Sequence, residues 1–296
     1  MLQHRGLSFC RTTPRFKAHA RAHQEVVGNE HWYGDEPPGL GKGYTAADTE
    51  ERHAAVSEVL LRAAKNAENN DAGELAKAYF DLYDKLERCE PRHRCGSLAC
   101  PCCARAFQKA KVAAQETVII NATKERSEKH LVFVTVVPNI MMYPPGQFRS
   151  IDVKKANRWL KDALKAVGKR MMLGSADLGW ETRRSGKYVQ LHWHLAMWTS
   201  NPDGLRAKLA SIFPRARPYE RPTDATPAAD LGFLPYMNKG IKWDHLLRTN
   251  RTHLPELLLV LDQTEPLDLL VLSGLRLTAQ EGQFALRPIG RLERKS

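Results

Sequence analysis

The chain has 296 residues, 43% of them hydrophobic and 26% charged, the balance of a folded protein rather than a disordered one. Forty-five Lys and Arg against 33 Asp and Glu leave a net charge of +12, so the molecule is drawn toward polyanions and nucleic acid is the expected partner. The most apolar stretch, 257–277, is broken by Asp262, Glu265, Pro266 and Asp268, which excludes a transmembrane helix, and the N-terminus lacks the apolar core of a secretory signal, so a cytoplasmic protein is expected.

Residues 1–45 are rich in Arg, His, Gly and Pro without a sustained period and read as a basic, irregular arm. A helical region with a cysteine-rich element follows over 46–128. Val56, Val59, Leu60, Ala63 and Ala64 keep helical spacing, Leu75, Ala78, Tyr79, Leu82 and Leu86 do so again, and the polar NAENNDAG separates the two helices. Residues Ala104 to Thr123 read as a third helix.

Between the second and third helices, at about 88–105, five of the six cysteines crowd together, which in a reducing compartment points to metal rather than disulfides. Cys95, Cys100 and Cys103 have the spacing Cys-x4-Cys-x2-Cys, the last two in a knuckle that suits tetrahedral zinc. Cys89 is the first choice for the fourth ligand, with Cys102 or His93 as substitutes. Arg88, Arg92, Arg94 and Arg105 surround the cluster and suit DNA phosphates.

The main domain is expected over 129–250. It opens with HLVFVTVVP from His130 to Pro138, a β-branched run too short for a helix that reads as a buried strand. An amphipathic helix follows, with Val153, Ala156, Trp159, Leu160, Ala163, Leu164 and Val167 on one face. LGWETRR and KYVQLHWHLAMW form a hairpin signal. A short helix over 204–213, a Pro-rich extended piece ending at Pro227 and a helix carrying LPYMNKGIKW complete the order. Strand, helix, strand, strand, helix, strand, helix describes an α+β fold, an antiparallel sheet with helices packed on it in the ferredoxin-like manner. Residues 251–296 read as a partly helical tail.

His192 and His194 flank Trp193 in a strand, and alternation puts both imidazoles on one face. A turn centred on Ser185-Gly186 sets Glu181 opposite Gln190, on the histidine face and diagonal to His192 at roughly 7–8 Å. Glu181, His192 and His194 then suit Mn²⁺ or Mg²⁺ acting as a Lewis acid on a phosphate oxygen.

LHWHLAMW resembles the His-hydrophobic-His signature of the HUH endonuclease superfamily, and FVTVVP resembles that family's first strand motif, of the FLTLTxP type. YMNK resembles the third motif, Tyr-x-x-Lys, and its chain order after the histidines matches. The resemblance is to rolling-circle replication initiators of the single-tyrosine class with an upstream zinc element, and it implies an RRM-like nuclease core. It also implies that Tyr236 attacks a DNA phosphate to give a 5′-phosphotyrosine and a 3′-hydroxyl primer, aided by Lys239, with Lys242 as a DNA contact. The implied substrate is a single-stranded or hairpin origin. No GxxxxGK[ST] loop occurs, so unwinding and synthesis fall to a host helicase and polymerase. A single-tyrosine transposase or mobilisation relaxase would share this chemistry, and a zinc-containing DNA-binding regulator with structural histidines is the non-enzymatic alternative.

Overall fold

The structure is a computed structural model that describes residues 46–90, 93–125, 129–168, 171–183, 186–214, 223–228, 231–249, 251–280 and 283–288. The basic arm expected over 1–45 lies outside the described residues.

The helical periods before the cysteines become α1 (Ala46–Asn69) and α2 (Gly73–Glu87). Their break is only three residues long, because α1 runs on to Asn69, halfway through the polar segment, and Asp71 within the break has a positive φ of 56° that reverses the chain. Val56, Leu60 and Ala64 of α1 and Ala76, Tyr79, Leu82 and Leu86 of α2 are buried. Helix α3 (Pro101–Glu125) leaves the cysteine segment and buries Gln108, Lys109, Lys111 and Gln115, polar residues that a helix serving only as packing would not place inward.

The main sheet contains β1 (His130–Val136), β2 (Met142–Tyr143), β3 (Met172–Arg183), β4 (Gly186–Thr199), β5 (Thr223–Pro227) and β6 (Leu270–Ser273). Its order is β5-β1-β4-β3-β6, with β2 also paired to β4, and every one of these pairs is antiparallel. Helix α4 (Val153–Ala163), continued by a 3₁₀ turn over Leu164–Val167, connects β2 to β3, and α5 (Pro202–Ile212) connects β4 to β5. Asp152 caps α4 by accepting from the Lys155 amide at 2.8 Å, and Asn201 caps α5 through the Gly204 amide at 2.7 Å.

Alternation sorts the two faces of the sheet. Val132, Val134, Leu178, Leu191, Trp193 and Leu195 belong to the larger core, where Trp193 stacks near Trp159 of α4 and donates to Asn157 Oδ1 at 2.6 Å. The opposite face carries Leu173, Ala196 and Trp198 into a second core with Val112, Val118 and Ile119 of α3. His192, His194 and Asp177 sit on this second face, between its apolar part and the open end of the sheet.

The segment expected to form one helix after β5 is divided. Helix α6 (Phe233–Met237) stops at Asn238, Gly240 adopts a φ of 64°, and α7 (Trp243–Thr249) begins a new direction. The expected tail contains α8 (Leu254–Gln263), then strand β6, which joins the main sheet, and a hairpin of β7 (Leu275–Gln280) and β8 (Gln283–Pro288). Leucine-rich runs such as Leu269–Leu272 do not distinguish strand from helix by period, and pairing with the exposed edge of β3 decides it. Among the described residues no helix is long and apolar enough to cross a membrane.

Candidate active site

The β3–β4 hairpin builds the site, and its register corrects the sequence expectation. Asp177, rather than Glu181, shares the histidine level: Asp177 pairs with His192, while Glu181 pairs with Tyr188 and not Gln190. Packing explains the choice, since the observed register sets Ala176 against Trp193 and Ser175 against His194, small residues under large rings, where the expected one set Leu178 against Trp193. Gly179 completes this fit, because a Cβ there would lie 3.1 Å from His192 Cε1. Glu181 lies four residues further along β3 and is exposed, outside the metal-sized cluster.

Asp177, His192 and His194 each present one ligand atom, all within 4.8 Å of one another, and all three residues are buried. Asp177 Oδ2 is 3.1 Å from His192 Nε2 and 3.7 Å from His194 Nε2. The outward nitrogens are held: His194 Nδ1 is 3.1 Å from Thr135 Oγ1 on β1, and His192 Nδ1 is 3.4 Å from the Gln190 carbonyl. Such partners orient imidazoles so that both Nε2 atoms face the carboxylate. Phe133 stacks on His194 with ring centroids 5.6 Å apart and fixes its plane.

Tyr236 and Lys239 reach the same point from the other side. The Tyr236 ring centroid is 4.7 Å from that of His194, and the residue is 49% exposed, so the phenol stands at the mouth of the cluster. Lys239 lies outside helix α6, contrary to expectation, yet its Nζ is 3.8 Å above the Tyr236 ring, 2.9 Å from Asp177 Oδ2 and 3.3 Å from His194 Nε2. Backbone docking accounts for this placement: the Leu178 amide donates to the Gly240 carbonyl at 2.9 Å, which fastens the turn after Lys239 to the free edge of β3. Two side chains of α3 fasten the tyrosine segment in turn, Gln108 donating to the Pro235 carbonyl at 3.0 Å and Gln115 accepting from Asn238 at 2.6 Å.

Burial sets the electrostatics. It pushes the Asp177 carboxyl up, but the imidazoles of His192 and His194 and the Lys239 ammonium outweigh it and hold the group well below the usual carboxylate range. Burial pushes His194 down to about 4 despite Asp177, so its imidazole is neutral at pH 7, the form that binds metals. Burial also opposes the charge on Lys239, and Asp177 overcomes that and raises its pKa. On α3, burial pushes Lys111 down to about 7; its Nζ donates to Ser175 Oγ at 3.0 Å. Neither Asp177 oxygen has a hydrogen bond of ordinary geometry. A fully buried carboxylate with that deficit, facing two imidazole nitrogens, is a donor set that fits a divalent cation.

The cysteine element forms a second cluster. The sulfurs of Cys89, Cys95, Cys100 and Cys103 lie within 4.8 Å of one another, close enough to hold a metal ion. Cys89 is 3.5 Å from Cys103 and 3.6 Å from Cys100, and Cys95 is 3.6 Å from Cys103. Four thiolates about 2.3 Å from a central ion would stand about 3.8 Å apart, so these separations suit a tetrahedral site. Cys89 thus completes the four-sulfur group, whereas Cys102 turns toward His53 of α1, which is also 3.6 Å from Cys100, and His93 is exposed.

Of the expected DNA contacts, Arg88 caps α2 and is exposed, with Nε donating to the Asp84 carbonyl at 2.9 Å. Arg94 and Arg105 are half-buried, Lys242 is exposed, and Arg92 lies outside the described residues. Sequence reasoning missed Asp177, Thr135, Lys111 and His53. Only Asp177 left a signal, as the single charged residue in the apolar run MLGSADLGW. No protein-family model matches the chain, and no curated protein and no solved structure was found to be similar to it.

Proposed function

We propose that this chain is a metal-dependent DNA nicking and closing endonuclease of the HUH type, acting as a rolling-circle replication initiator. The observation that carries the reading is the half-exposed Tyr236 phenol beside a buried Asp177–His192–His194 cluster, with Lys239 between them. A nucleophile, a cationic side chain and a candidate ion site at one point match what phosphoryl transfer from DNA requires. The strand order β5-β1-β4-β3, with helices after β1 and after β4, supports an RRM-like or ferredoxin-like core for it.

Asp177, His192 and His194 would hold Mn²⁺ or Mg²⁺, which when bound supplies Lewis-acid polarisation of the scissile phosphate. Tyr236 Oη forms a bond to phosphorus as the bond to the DNA 3′ oxygen breaks; the phenol proton is lost and the 3′ oxygen gains one. The products are a 5′-phosphotyrosine and a 3′-hydroxyl, and attack by a 3′-hydroxyl on the phosphotyrosine reverses the step. Lys239 neutralises charge on the phosphate and orients the tyrosine ring. Cys89, Cys95, Cys100 and Cys103 would bind zinc and brace the start of α3, whose Gln108 and Gln115 hold the Tyr236 segment. A replication role leaves unwinding and synthesis to host proteins, and a transposase or relaxase would use the same residues on a different target.

One observation favours the non-catalytic alternative, a zinc-containing DNA-binding regulator: Lys239 already pairs with Asp177, so the cluster is charge-balanced by the chain itself. The two readings separate in one assay. With Mn²⁺ and labelled single-stranded DNA carrying hairpins, the wild type should form a covalent adduct stable to denaturant, and Tyr236→Phe should form none. Failure of the wild type to attach or cleave across a randomised oligonucleotide pool overturns the nuclease reading.

A further inference from the structure

We propose that His53, Cys100 and Cys102 form a second zinc site, which shares the Cys100 sulfur with the four-cysteine site. It is independent of the nuclease reading, and its premise is zinc at the four cysteines. His53, Cys100 and Cys102 each present one ligand atom, all within 4.8 Å of one another. His53 Nδ1 is 3.6 Å from Cys100 Sγ, and the same sulfur is 3.6 Å from that of Cys89. Bonds of about 2.3 Å to sulfur and about 2.0–2.1 Å to nitrogen, at a tetrahedral angle, put the two donor atoms about 3.5–3.6 Å apart. The imidazole therefore stands where a ligand to an ion on Cys100 would stand. A hydrogen bond alone would join His53 to Cys100 at a similar separation; Cys102, converging on both, is the donor that a hydrogen bond does not require.

Two elements bring these groups together. Cys100 immediately precedes α3, and Cys102 and Cys103 are the second and third residues of that helix. Successive helical residues point about 100° apart, so Cys103 meets Cys89 and Cys95 while Cys102 is turned to α1. On α1, His53 lies three residues before Val56 and extends the buried stripe of Val56, Leu60 and Ala64. The packing that buries this stripe presents the imidazole to the start of α3.

Thiolates and imidazole are donors that zinc favours, and a thiolate has lone pairs enough for two cations. Charge also favours a second ion. Four thiolates around one divalent ion leave two negative charges in excess where Cys100 and Cys103 are buried, and five thiolates around two ions leave one. The two ions differ in affinity. Protein sulfur closes the four-cysteine site, whereas the second site has three protein donors, one of them shared. His53 and Cys102 are half-buried, which leaves the fourth position of the second ion to water or a small anion. The second ion is therefore the first to be lost, and when bound it ties α1 to α3.

The test uses the full chain carrying its tightly held zinc, about one per molecule, a content that checks the four cysteines separately. Co²⁺ is then titrated, because its bonds to thiolate give a near-ultraviolet charge-transfer band that ligation by Asp177, His192 and His194 does not. The band should appear with no zinc released to a colorimetric dye, and Zn²⁺ added afterwards should abolish it. Cys102→Ser should lose the band, and His53→Ala should weaken Co²⁺ binding at least about 10-fold, since even residues behind the ligands cost about 10–100-fold. A missing band with zinc retained overturns the site, as does a band of unchanged affinity in the two folded variants. A band that rises only as zinc is released reports exchange at the four cysteines and overturns it as well. Should the variants not fold, alkylation of the wild type by iodoacetamide, read by mass spectrometry, decides: modification of Cys102 should slow when Zn²⁺ is added to the zinc-carrying chain, and an unchanged rate overturns the site.

Discussion

Replacing Asp177 with Asn keeps the shape of a fully buried side chain and removes the charge on which three neighbours depend. Lys239 Nζ stands 2.9 Å from Oδ2, an attraction of about 332/(20 × 2.9), or roughly 6 kcal/mol, at an effective dielectric constant of 20. Desolvation offsets part of this, and loss of one partner of a buried pair costs about 3–5 kcal/mol because the other charge stays buried. At about 2–4 °C per kcal/mol for a chain of this size, melting should fall on the order of 10 °C. Glu181→Gln, on an exposed position, should change stability by no more than about 0.5 kcal/mol. Mn²⁺ titration by calorimetry should show affinity reduced at least about 100-fold in Asp177→Asn, since even residues behind the ligands cost about 10–100-fold, and little changed in Glu181→Gln. The double variant Asp177→Asn with Lys239→Met should recover most of the stability without recovering Mn²⁺. Loss of Mn²⁺ binding in Glu181→Gln with retention in Asp177→Asn would refute the register argument and return the ligand role to Glu181.

Cys103→Ser, or chelation of the wild type, should lower helical content by circular dichroism and reduce tyrosine adduct yield, with about one zinc per chain released to a colorimetric dye; normal folding without bound metal contradicts the cysteine assignment. Gly240→Ala should cost about 1–2 kcal/mol in urea unfolding, since the residue holds a φ of 64° and the added Cβ meets only an ordinary contact, 3.6 Å from Leu269 Cδ1. Its adduct yield should fall further than stability alone accounts for, because that turn carries Lys239. For Lys111, the folded value of about 7 lies below the unfolded 10.5, so between those pH values the unfolded chain binds the extra proton and stability from this group rises with pH. The stability of wild type relative to Lys111→Met should therefore climb by up to roughly 4 kcal/mol from pH 7 to pH 10; a pH-independent difference would show that the amine is not desolvated.

Several features of this protein follow from local sequence alone. The helices of the first region, the buried strand at 130–136, the long hairpin strand with both histidines on one face and the metal-suited cysteine segment each rest on a period or spacing that neighbouring residues determine. Other features belong to tertiary structure. Strand register depends on how Trp193 and His194 fit against Ala176 and Ser175, a choice of size across two strands, and it replaces Glu181 by Asp177. Lys239 reaches Asp177 through a turn docked on the edge of β3, not through helical spacing from Tyr236. Strand β6 owes its form to the open edge of β3, and His53 meets the cysteines only because α1 packs beside α3. Periodicity records which face of an element is buried; which partner waits there is decided by contacts between residues far apart in the chain, and no local pattern encodes those.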